Sequence, residues 1–588
     1  MSSTAQLSQA ETSTVSWLQK PWLLPAVVCG LVFLVYAGTV RFGFVFDDQG
    51  QIVENDWLTS FSYLPRYFTA HVWAFAGING SYWRPLFLIW LLIQRLLFGV
   101  HPAMWHLDSV LLHAAATGLV YQLAVRLTRD RLTSAIAALI FGLHPALIES
   151  VAWVSGVTDP LLTVCLVPSF LAFLNWRGVA RVSDPSKSEP RKWLAVSLVL
   201  YALGLMCKET AVALPPLVFL YAWIYSQDGF VRRTRDALLA VFPYVPVTLA
   251  YAAVHLLAVQ RIDDPGSVVT PVHTLLTAPS LLLFYLRTLL FPAVISPNYD
   301  VKMVMAFSWE RVVLPMLLLA AVVALLYWSS RRDHDFARLT AFASAWIVLP
   351  LLPAIFFLPN APHDFAHPRY LYLSAIGFGM IVAAAIGRLR LPAMQAAATA
   401  AVVISLALGT TTQQLYWANN MTLFSRGVAV APNNVIALTG LGAEYGKQQR
   451  YPEAISLFRR GLAIDANDWH PNFSLGYTYF VLGRYAEAEP LIGRAVSLNP
   501  TAHPDALAYF GRVEVKLGDL PRAEGALRYA LQYYPKREQF RLALALVLEE
   551  EGKLPDAVQE FKETLTIDPN NAVARAHLDR IESLVDSR

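Results

Sequence analysis

The stretch from Trp22 to Val40, WLLPAVVCGLVFLVYAGTV, decides the fold, because it runs without a charged side chain. At about 1.5 Å per residue, a helix of this length crosses a hydrocarbon core of roughly 30 Å. The Ser/Thr-rich residues before it end in Lys20, and the apolar run is longer than the core of a signal peptide. We therefore expect an uncleaved first transmembrane helix behind a cytoplasmic tail, residues 1–21.

Similar apolar segments recur along the chain and, with the first, predict about eleven membrane crossings. The predicted fold class is all-α, with a polytopic transmembrane domain at residues 22–415. The further predicted spans lie near residues 105–125, 132–147, 160–176, 193–207, 210–226, 237–259, 312–330, 339–357, 370–387 and 391–413.

Basic side chains gather in loops that this scheme places on one side of the membrane. By the positive-inside rule that side is cytoplasmic, and the loops between them face outward. The basic clusters are Arg126, Arg129 and Arg131; Arg177, Arg181, Lys187, Arg191 and Lys192; Arg232, Arg233 and Arg235; Arg331, Arg332 and Arg338; and Arg388 and Arg390.

Two more apolar stretches, Pro85 to Val100 and Leu275 to Pro292, each contain one arginine, Arg95 and Arg287. Charge at mid-membrane is costly. We therefore expect both stretches to lie along the outer interface without crossing.

Composition excludes several classes of function. The chain is 56% hydrophobic and 15% charged, with a net charge of +4, and no strongly basic face is indicated, so we expect no nucleic-acid binding. Cys29, Cys165 and Cys207 lie in or beside apolar segments without paired spacing. We expect neither a disulfide framework nor a zinc site.

From about residue 433 a period of about 34 residues appears, which resembles the tetratricopeptide repeat. Small residues allow two helices per unit to approach, and a proline ends the second helix. We predict a connector at 416–432 and, at 433–588, an α-solenoid of about four repeats plus a capping helix, Asn571 to Val585. The recurring positions are Leu441, Gly442, Tyr445, Ala454 and Phe458; Leu475, Gly476, Tyr479, Ala488 and Ile492; Gly511, Ala523 and Leu527; Ala545, Ala557 and Phe561; and the prolines Pro500, Pro535 and Pro569.

The outward loops contain the candidate chemistry. Asp47 and Asp48 follow the first helix and precede Arg84. Adjacent carboxylates can orient and deprotonate an acceptor hydroxyl, or bind a divalent cation against a phosphate. A solvated loop with no catalytic role is the alternative for such a short motif.

A second outward loop contains His144, Glu149, Trp153 and Asp159. An aromatic face stacks on the apolar side of a sugar ring, and carboxylates bind sugar hydroxyls. We predict that these residues bind substrate or acceptor. An interfacial tryptophan beside polar helix ends is the alternative.

Cationic groups recur in the remaining outward loops. Lys208, next to Glu209, can balance a lipid-linked phosphate, or the two can form an ion pair across a short turn. Arg369 at a helix start can bind a phosphate with its guanidinium fork, or face lipid head groups. Further polar groups lie at residues 296–300 and at His363 and Asp364.

Together these motifs resemble the multi-span glycosyltransferases of the GT-C architecture, in particular the transmembrane and tetratricopeptide repeat-containing O-mannosyltransferases and their bacterial relatives. Members often have Thr and Arg where Ile148 and Val157 stand here. The motifs that match are Asp47-Asp48; His144-Pro145 with Glu149, Trp153, Gly156 and Asp159; Lys208-Glu209; and Arg369-Tyr370-Leu371-Tyr372-Leu373 with Gly377-Phe378.

The resemblance implies inverting transfer of a mannose-like hexose from a polyprenyl-phosphate carrier to a hydroxyl of a protein or other acceptor. Asp47 or Asp48 would be the general base, with the choice between them open. Glu149 and Asp159 would bind hydroxyls, and Lys208, Arg369 and Arg84 the donor phosphate. No cofactor is required by this chemistry, although a divalent cation stays open.

Two other classes remain. A lipid or solute transporter would place ionisable groups at mid-membrane, as Asp108 and His113 suggest, although a buried hydrogen-bonded pair also explains them. A repeat-bearing membrane scaffold would need only one helix as its anchor. We expect a bacterial inner-membrane enzyme in which membrane lipid surrounds the spans and periplasmic repeats bind the acceptor or a partner.

Overall fold

The computed structural model describes residues 20–77, 80–178, 190–259, 270–356, 365–499, 504–535 and 537–586. No strand occurs in these ranges, and the predicted all-α class is confirmed. The chain forms two compact units, Met1–Val72 with Ser81–Arg426, and Trp73–Gly80 with Gly427–Arg588. Predictions for the tail up to residue 19, Arg181, Lys187, His363, Asp364 and Pro500 lie outside the described residues.

The first unit is a bundle of apolar helices joined by short turns. Its helices are Leu23–Tyr36, Leu64–Tyr67, Pro85–Phe98, Pro102–Thr128, Arg131–Gly142, Ile148–Ala152, Thr158–Trp176, Pro190–Cys207, Leu214–Ile224, Phe230–Val241, Tyr244–Ala258, Pro271–Leu290, Leu314–Ser330, His334–Val348, Leu351–Phe356, Ser374–Gly387 and Pro392–Gln413. The connector predicted at 416–432 is largely helical, with turns at Gln414–Trp417 and a helix at Asn420–Val430.

Seven helices in the described ranges are long and apolar enough to cross a membrane, or up to nine if two bent pairs each form one span. The chain is thus an integral membrane protein. The expected count of about eleven is higher because helices such as Ser374–Gly387 are shorter than we predicted.

Two predicted spans are broken, which corrects their continuous assignment. The predicted span 237–259 falls on two helices, Phe230–Val241 and Tyr244–Ala258. The second helix is bent by 45° from the first, and Pro243 lies at the break. The segment 132–147 ends at Gly142 and resumes at Pro145 with a bend of 52°. Proline lacks the N–H that a continuing helix would use, which explains both positions.

The arginine-rich turns gather at one end of this bundle. Arg131 donates to the Lys20 carbonyl over 2.9 Å, and Arg126 donates to Asn175 over 3.0 Å. At the opposite end of the first helix, the Gly43 carbonyl lies 3.3 Å from Nε2 of His106. His106 lies in the first turns of the helix Pro102–Thr128, whose last turn contains Arg126. The bundle therefore has a basic end and a second end to which the aspartates belong.

The helix Pro271–Leu290 is long and apolar enough to cross a membrane, although we expected it to lie along the interface. Its Leu289 carbonyl lies 2.9 Å from Nε2 of His144, and the nearby Pro292 carbonyl accepts from Gln413. Thr277 in its first half accepts from the backbone of Val304. The non-crossing placement stays a prediction. Pro85–Phe98, with 14 residues, is short for a crossing by itself.

Small and polar residues inside the bundle set its packing. A side chain at Gly377 would come within 2.1 Å of the Ala343 carbonyl, so these two helices pack at a distance that only glycine allows. His113 bonds to Tyr372 and the Gly142 carbonyl, whereas Asp108 bonds to Gln94. The two ionisable groups therefore have separate protein partners and do not pair with each other.

The second unit is the predicted solenoid of antiparallel helix pairs. Gly476 lies against Ile492, where a β-carbon would approach to 2.6 Å, and the equivalent Gly442 lies against Phe458. These recurring small residues pack the paired helices as the period predicted. The helices are Val435–Lys447, Tyr451–Ile464, Trp469–Val481, Tyr485–Leu498, Pro504–Leu517, Leu520–Tyr533, Glu538–Glu550, Leu554–Ile567 and the terminal Ala572–Asp586.

Candidate active site

Asp48 is anchored within the turn that follows the first helix, residues 43–48, here called the aspartate turn. The side chain is fully buried. One carboxylate oxygen accepts from the backbone and the hydroxyl of Ser155 at 2.8 and 2.7 Å, and the other accepts from the Val45 backbone at 3.1 Å. Burial raises the pKa of Asp48 to about 7, although these hydrogen bonds oppose the shift. Asp48 thus joins the turn to the start of the helix after Trp153.

Asp47 has a different environment from its neighbour. Its side chain is half-buried, and no hydrogen bond to its carboxylate occurs in the described part of the chain. Burial raises the pKa of Asp47 to about 6, and attraction from Arg369 opposes the rise. A carboxylate with free acceptor capacity and a pKa near neutrality has the properties of a general base.

Glu149 and Arg369 form the next part of the site. Glu149 is 1% exposed, and its two oxygens accept from the guanidinium and the backbone N–H of Arg369. The guanidinium also lies 5.4 Å from the ring centroid of Trp153, a cation–π contact. Gly156 makes this turn feasible, because a β-carbon there would lie 2.6 Å from the Glu149 carbonyl oxygen.

Lys208 pairs with Asp159 across 2.6 Å, and both side chains are at most 5% exposed. The other Asp159 oxygen accepts from Ser150 at 3.1 Å. Burial lowers the pKa of Lys208, and Asp159 opposes that shift. The ammonium also lies 5.5 Å from the ring centroid of Tyr370, the residue after Arg369.

Arg84 binds Glu209 through two guanidinium nitrogens, the shorter contact being 2.7 Å. This corrects the alternative in which Lys208 and Glu209 pair with each other, since each binds a different partner. Adjacent residues leave a tight turn in different directions, and Lys208 is more buried than Glu209.

The predicted site residues therefore converge at one end of the bundle, where His144 has a structural partner at each ring nitrogen. His144 is fully buried, its Nδ1 accepts from the Ala146 backbone, and its Nε2 contacts the Leu289 carbonyl. It packs on Phe378 and does not line the pocket beside Arg369. The structure gives His144 a helix-capping position, and its predicted substrate contact remains untested.

A small pocket opens next to these residues. Its lining combines charged and polar groups with aromatic and aliphatic side chains. Trp153, which is 6% exposed, stacks on the lining residue Trp417. The lining residues are Phe46, Glu149, Pro297, Asn298, His367, Arg369, Trp417, Leu423 and Phe424.

No group of three or more His, Cys, Asp or Glu side chains in the described ranges could hold a metal ion. Cys29, Cys165 and Cys207 form no disulfide bond within the described residues.

Sequence reasoning did not identify Ser155 as the partner of Asp48, and it assigned Trp417, Leu423 and Phe424 to a connector. Serine is too common for its position to be a signal. An aromatic cluster so close to the last predicted span was the only available indication that Trp417, Leu423 and Phe424 line this pocket.

Known proteins resemble this chain in both of its units. Residues 439–506 and 509–572 match the tetratricopeptide repeat model. Protein O-mannosyl-transferase Tmtc2 of Drosophila melanogaster is 30% identical over 323 residues, covering 52% of this chain and 34% of that protein. Protein O-mannosyl-transferase TMTC3 of Mus musculus is 24% identical over 468 residues, covering 73% of this chain and 50% of that protein.

The chain thus spans about half the length, or less, of these relatives. Among solved structures, MamA matches with 23% identity and a TM-score of 0.24, covering 28% of this chain and 95% of that chain. The motifs of the membrane unit and the repeats of the second unit agree with the sequence matches: the chain is similar to proteins named protein O-mannosyl-transferases and contains tetratricopeptide repeats.

Proposed function

We propose that this chain transfers a mannose-like hexose from a polyprenyl-phosphate carrier to a hydroxyl group of a protein acceptor. The observation that supports this function best is the contrast within the aspartate pair. Both carboxylate oxygens of Asp48 accept hydrogen bonds from Ser155 or Val45, whereas the Asp47 carboxylate, close enough to Arg369 for electrostatic attraction, has no hydrogen bond within the described residues. Asp47 is therefore the base in this proposal.

In the proposed reaction, Asp47 takes the proton of the acceptor hydroxyl. At the same time the oxygen of that hydroxyl forms a bond to the anomeric carbon of the sugar. The bond from that carbon to the phosphate oxygen breaks, and its electron pair leaves with the polyprenyl phosphate. Attack opposite to the leaving group inverts the anomeric configuration. A phosphate is already a good leaving group, so we propose that no metal ion is needed.

The developing negative charge on the phosphate needs fixed cations nearby. The Arg369 side chain is 22% exposed and that of Arg84 is 16% exposed, so both can reach a ligand. Lys208 is more deeply buried and acts through its positive field. Their partners Glu149, Glu209 and Asp159 keep the three cations oriented before the donor binds.

The sidedness of the bundle fits a lipid-linked donor, whose phosphate lies at the membrane interface. We propose that the basic end is cytoplasmic, by the positive-inside rule, and that the aspartates face the periplasm of a bacterial inner membrane. The solenoid then binds the acceptor protein or a partner on the same side.

The decisive experiment supplies purified full-length protein with polyprenyl-phosphate mannose and serine- or threonine-containing peptides. We expect mannosylated peptide and released polyprenyl phosphate, unchanged by a chelator, and no product with Asp47→Asn. A nucleotide sugar is the control donor and should not react. Transport of the donor across vesicles without transfer would favour the transporter, and neither activity would favour the scaffold.

A further inference from the structure

The geometry of the aspartate turn depends on a segment distant in sequence. Phe46, immediately before Asp47, has a φ of 54°, a left-handed conformation that a bulky residue adopts only when its surroundings enforce it. Its backbone N–H donates to Oδ1 of Asn420 across 2.8 Å. Asn420 begins the helix Asn420–Val430, 374 residues further along the chain.

Other contacts from the same segment surround the turn. The Gly43 N–H donates to the Ala418 carbonyl over 3.1 Å, which fixes the beginning of the turn. The Phe46 ring lies 6.0 Å from Phe424 and 5.8 Å from Trp153. Ala418, Asn420 and Phe424 thus hold both the backbone and the side chain that precede Asp47.

Asp47 itself has no hydrogen bond to its carboxylate in the part of the chain that the structure describes. Its orientation therefore follows from the backbone of Phe46. Without an acceptor for the Phe46 N–H, this residue is released to the ordinary right-handed region, and the carboxylate turns away from Arg369.

We propose that Asn420 is a positioning residue for the general base: its side-chain oxygen keeps Phe46 in the left-handed conformation that directs Asp47 into the site. This inference rests on the proposed function for its kinetic consequence. Its structural part, that Asn420 holds the aspartate turn, does not depend on the proposed function and is measured separately by hydrogen exchange.

Asn420→Ala is the test variant, and Asn419→Ala is its matched control. Asn419 caps the same helix by accepting from the Thr422 N–H at 3.0 Å, and within the described residues it forms no hydrogen bond to the aspartate turn. We expect Asn420→Ala to lower kcat by about tenfold or more, with the KM for the donor changed less than about twofold, because positioning acts on the reacting geometry. Asn419→Ala should leave kcat within about twofold of wild type.

Asn420→Asp tests the acceptor role, because a carboxylate can also accept from the Phe46 N–H. We expect it to restore most of the lost kcat, and its added negative charge to move the acidic limb of the pH profile upward by raising the pKa of Asp47.

Hydrogen exchange of the peptide containing Phe46 separates the two levels of the proposal. Exchange should accelerate in Asn420→Ala and stay at the wild-type rate in Asn419→Ala. If wild type transfers no sugar but this difference appears, the proposed function fails and the structural hold stands. Equal losses in both alanine variants, or wild-type exchange and kcat in Asn420→Ala, would overturn the inference.

Discussion

Ion pairs in the two units of this protein differ in their burial and in the sequence separation of the paired residues. In the membrane unit, Lys208 and Asp159 are 49 residues apart and nearly inaccessible. In the repeats, Arg484 and Glu487 are three residues apart, and roughly half of each side chain is exposed. Helix geometry alone creates the second kind of pair, whereas the fold must desolvate the first. Buried pairs of this kind therefore indicate a functional site, and the exposed pairs do not.

The largest effect expected from this contrast concerns the aspartate pair. Asp47→Asn should lower kcat by about 10²- to 10⁴-fold, the usual loss when a general base is removed, without lowering the melting temperature. Asp48→Asn should lower the melting temperature, because an amide nitrogen would face the donors that now bind its carboxylate. Steady-state kinetics and thermal unfolding in detergent measure both. Equal stability losses in the two variants would contradict the division of roles.

Breaking a buried pair should cost far more stability than breaking an exposed one. Lys208→Met leaves Asp159 buried without its cation, and we expect the free energy of unfolding to fall by about 3–5 kcal/mol. Arg484→Ala in the repeats should give no measurable change in melting temperature.

The double variant Lys208→Met with Asp159→Leu provides the control for this prediction. It should recover part of the lost stability, because no unpaired charge remains. A double variant as unstable as Lys208→Met would assign the loss to packing.

The raised pKa of Asp47 predicts how the activity depends on pH. The pKa of Asp47 is about 6, and the base must be ionised to accept a proton. Therefore kcat/KM should be constant above that value and should fall about tenfold per pH unit below it. Melting temperatures recorded over the same range serve as the control against acid unfolding. A rate that stays constant down to pH 4 would exclude Asp47 as the base.

The smallest expected effect concerns the stability of the repeats. The turn between paired helices contains a left-handed residue, which is Gln449 in the first repeat and Gly483 in the second. Gln449→Gly should stabilise the repeats by about 1 kcal/mol, because glycine adopts this conformation without strain, and Gly483→Gln should destabilise them similarly. Calorimetry of the full-length variants distinguishes these opposite signs, and shifts of the same sign would refute the explanation.

Much of the fold was predictable because its signals are local. The charge-free run after Trp22 predicted a membrane helix, and the spacing of Gly442 and Gly476 predicted the repeats. The breaks at Pro145 and Pro243 were visible as prolines, but short apolar helices cannot be distinguished from spans by composition alone. The count of crossings therefore required the structure.

For the site, the sequence by itself determined which residue types are present: two adjacent aspartates, further carboxylates, and the cations Lys208 and Arg369. Only the tertiary structure decided their hydrogen-bond partners. Asp48 accepts from Ser155, the Asp47 carboxylate has no hydrogen bond within the described residues, and Asn420 accepts from the Phe46 N–H. The physical reason is that helical periodicity and apolarity act over a few neighbouring residues. A hydrogen bond between side chains from distant segments depends on how whole helices pack, and no local pattern records it.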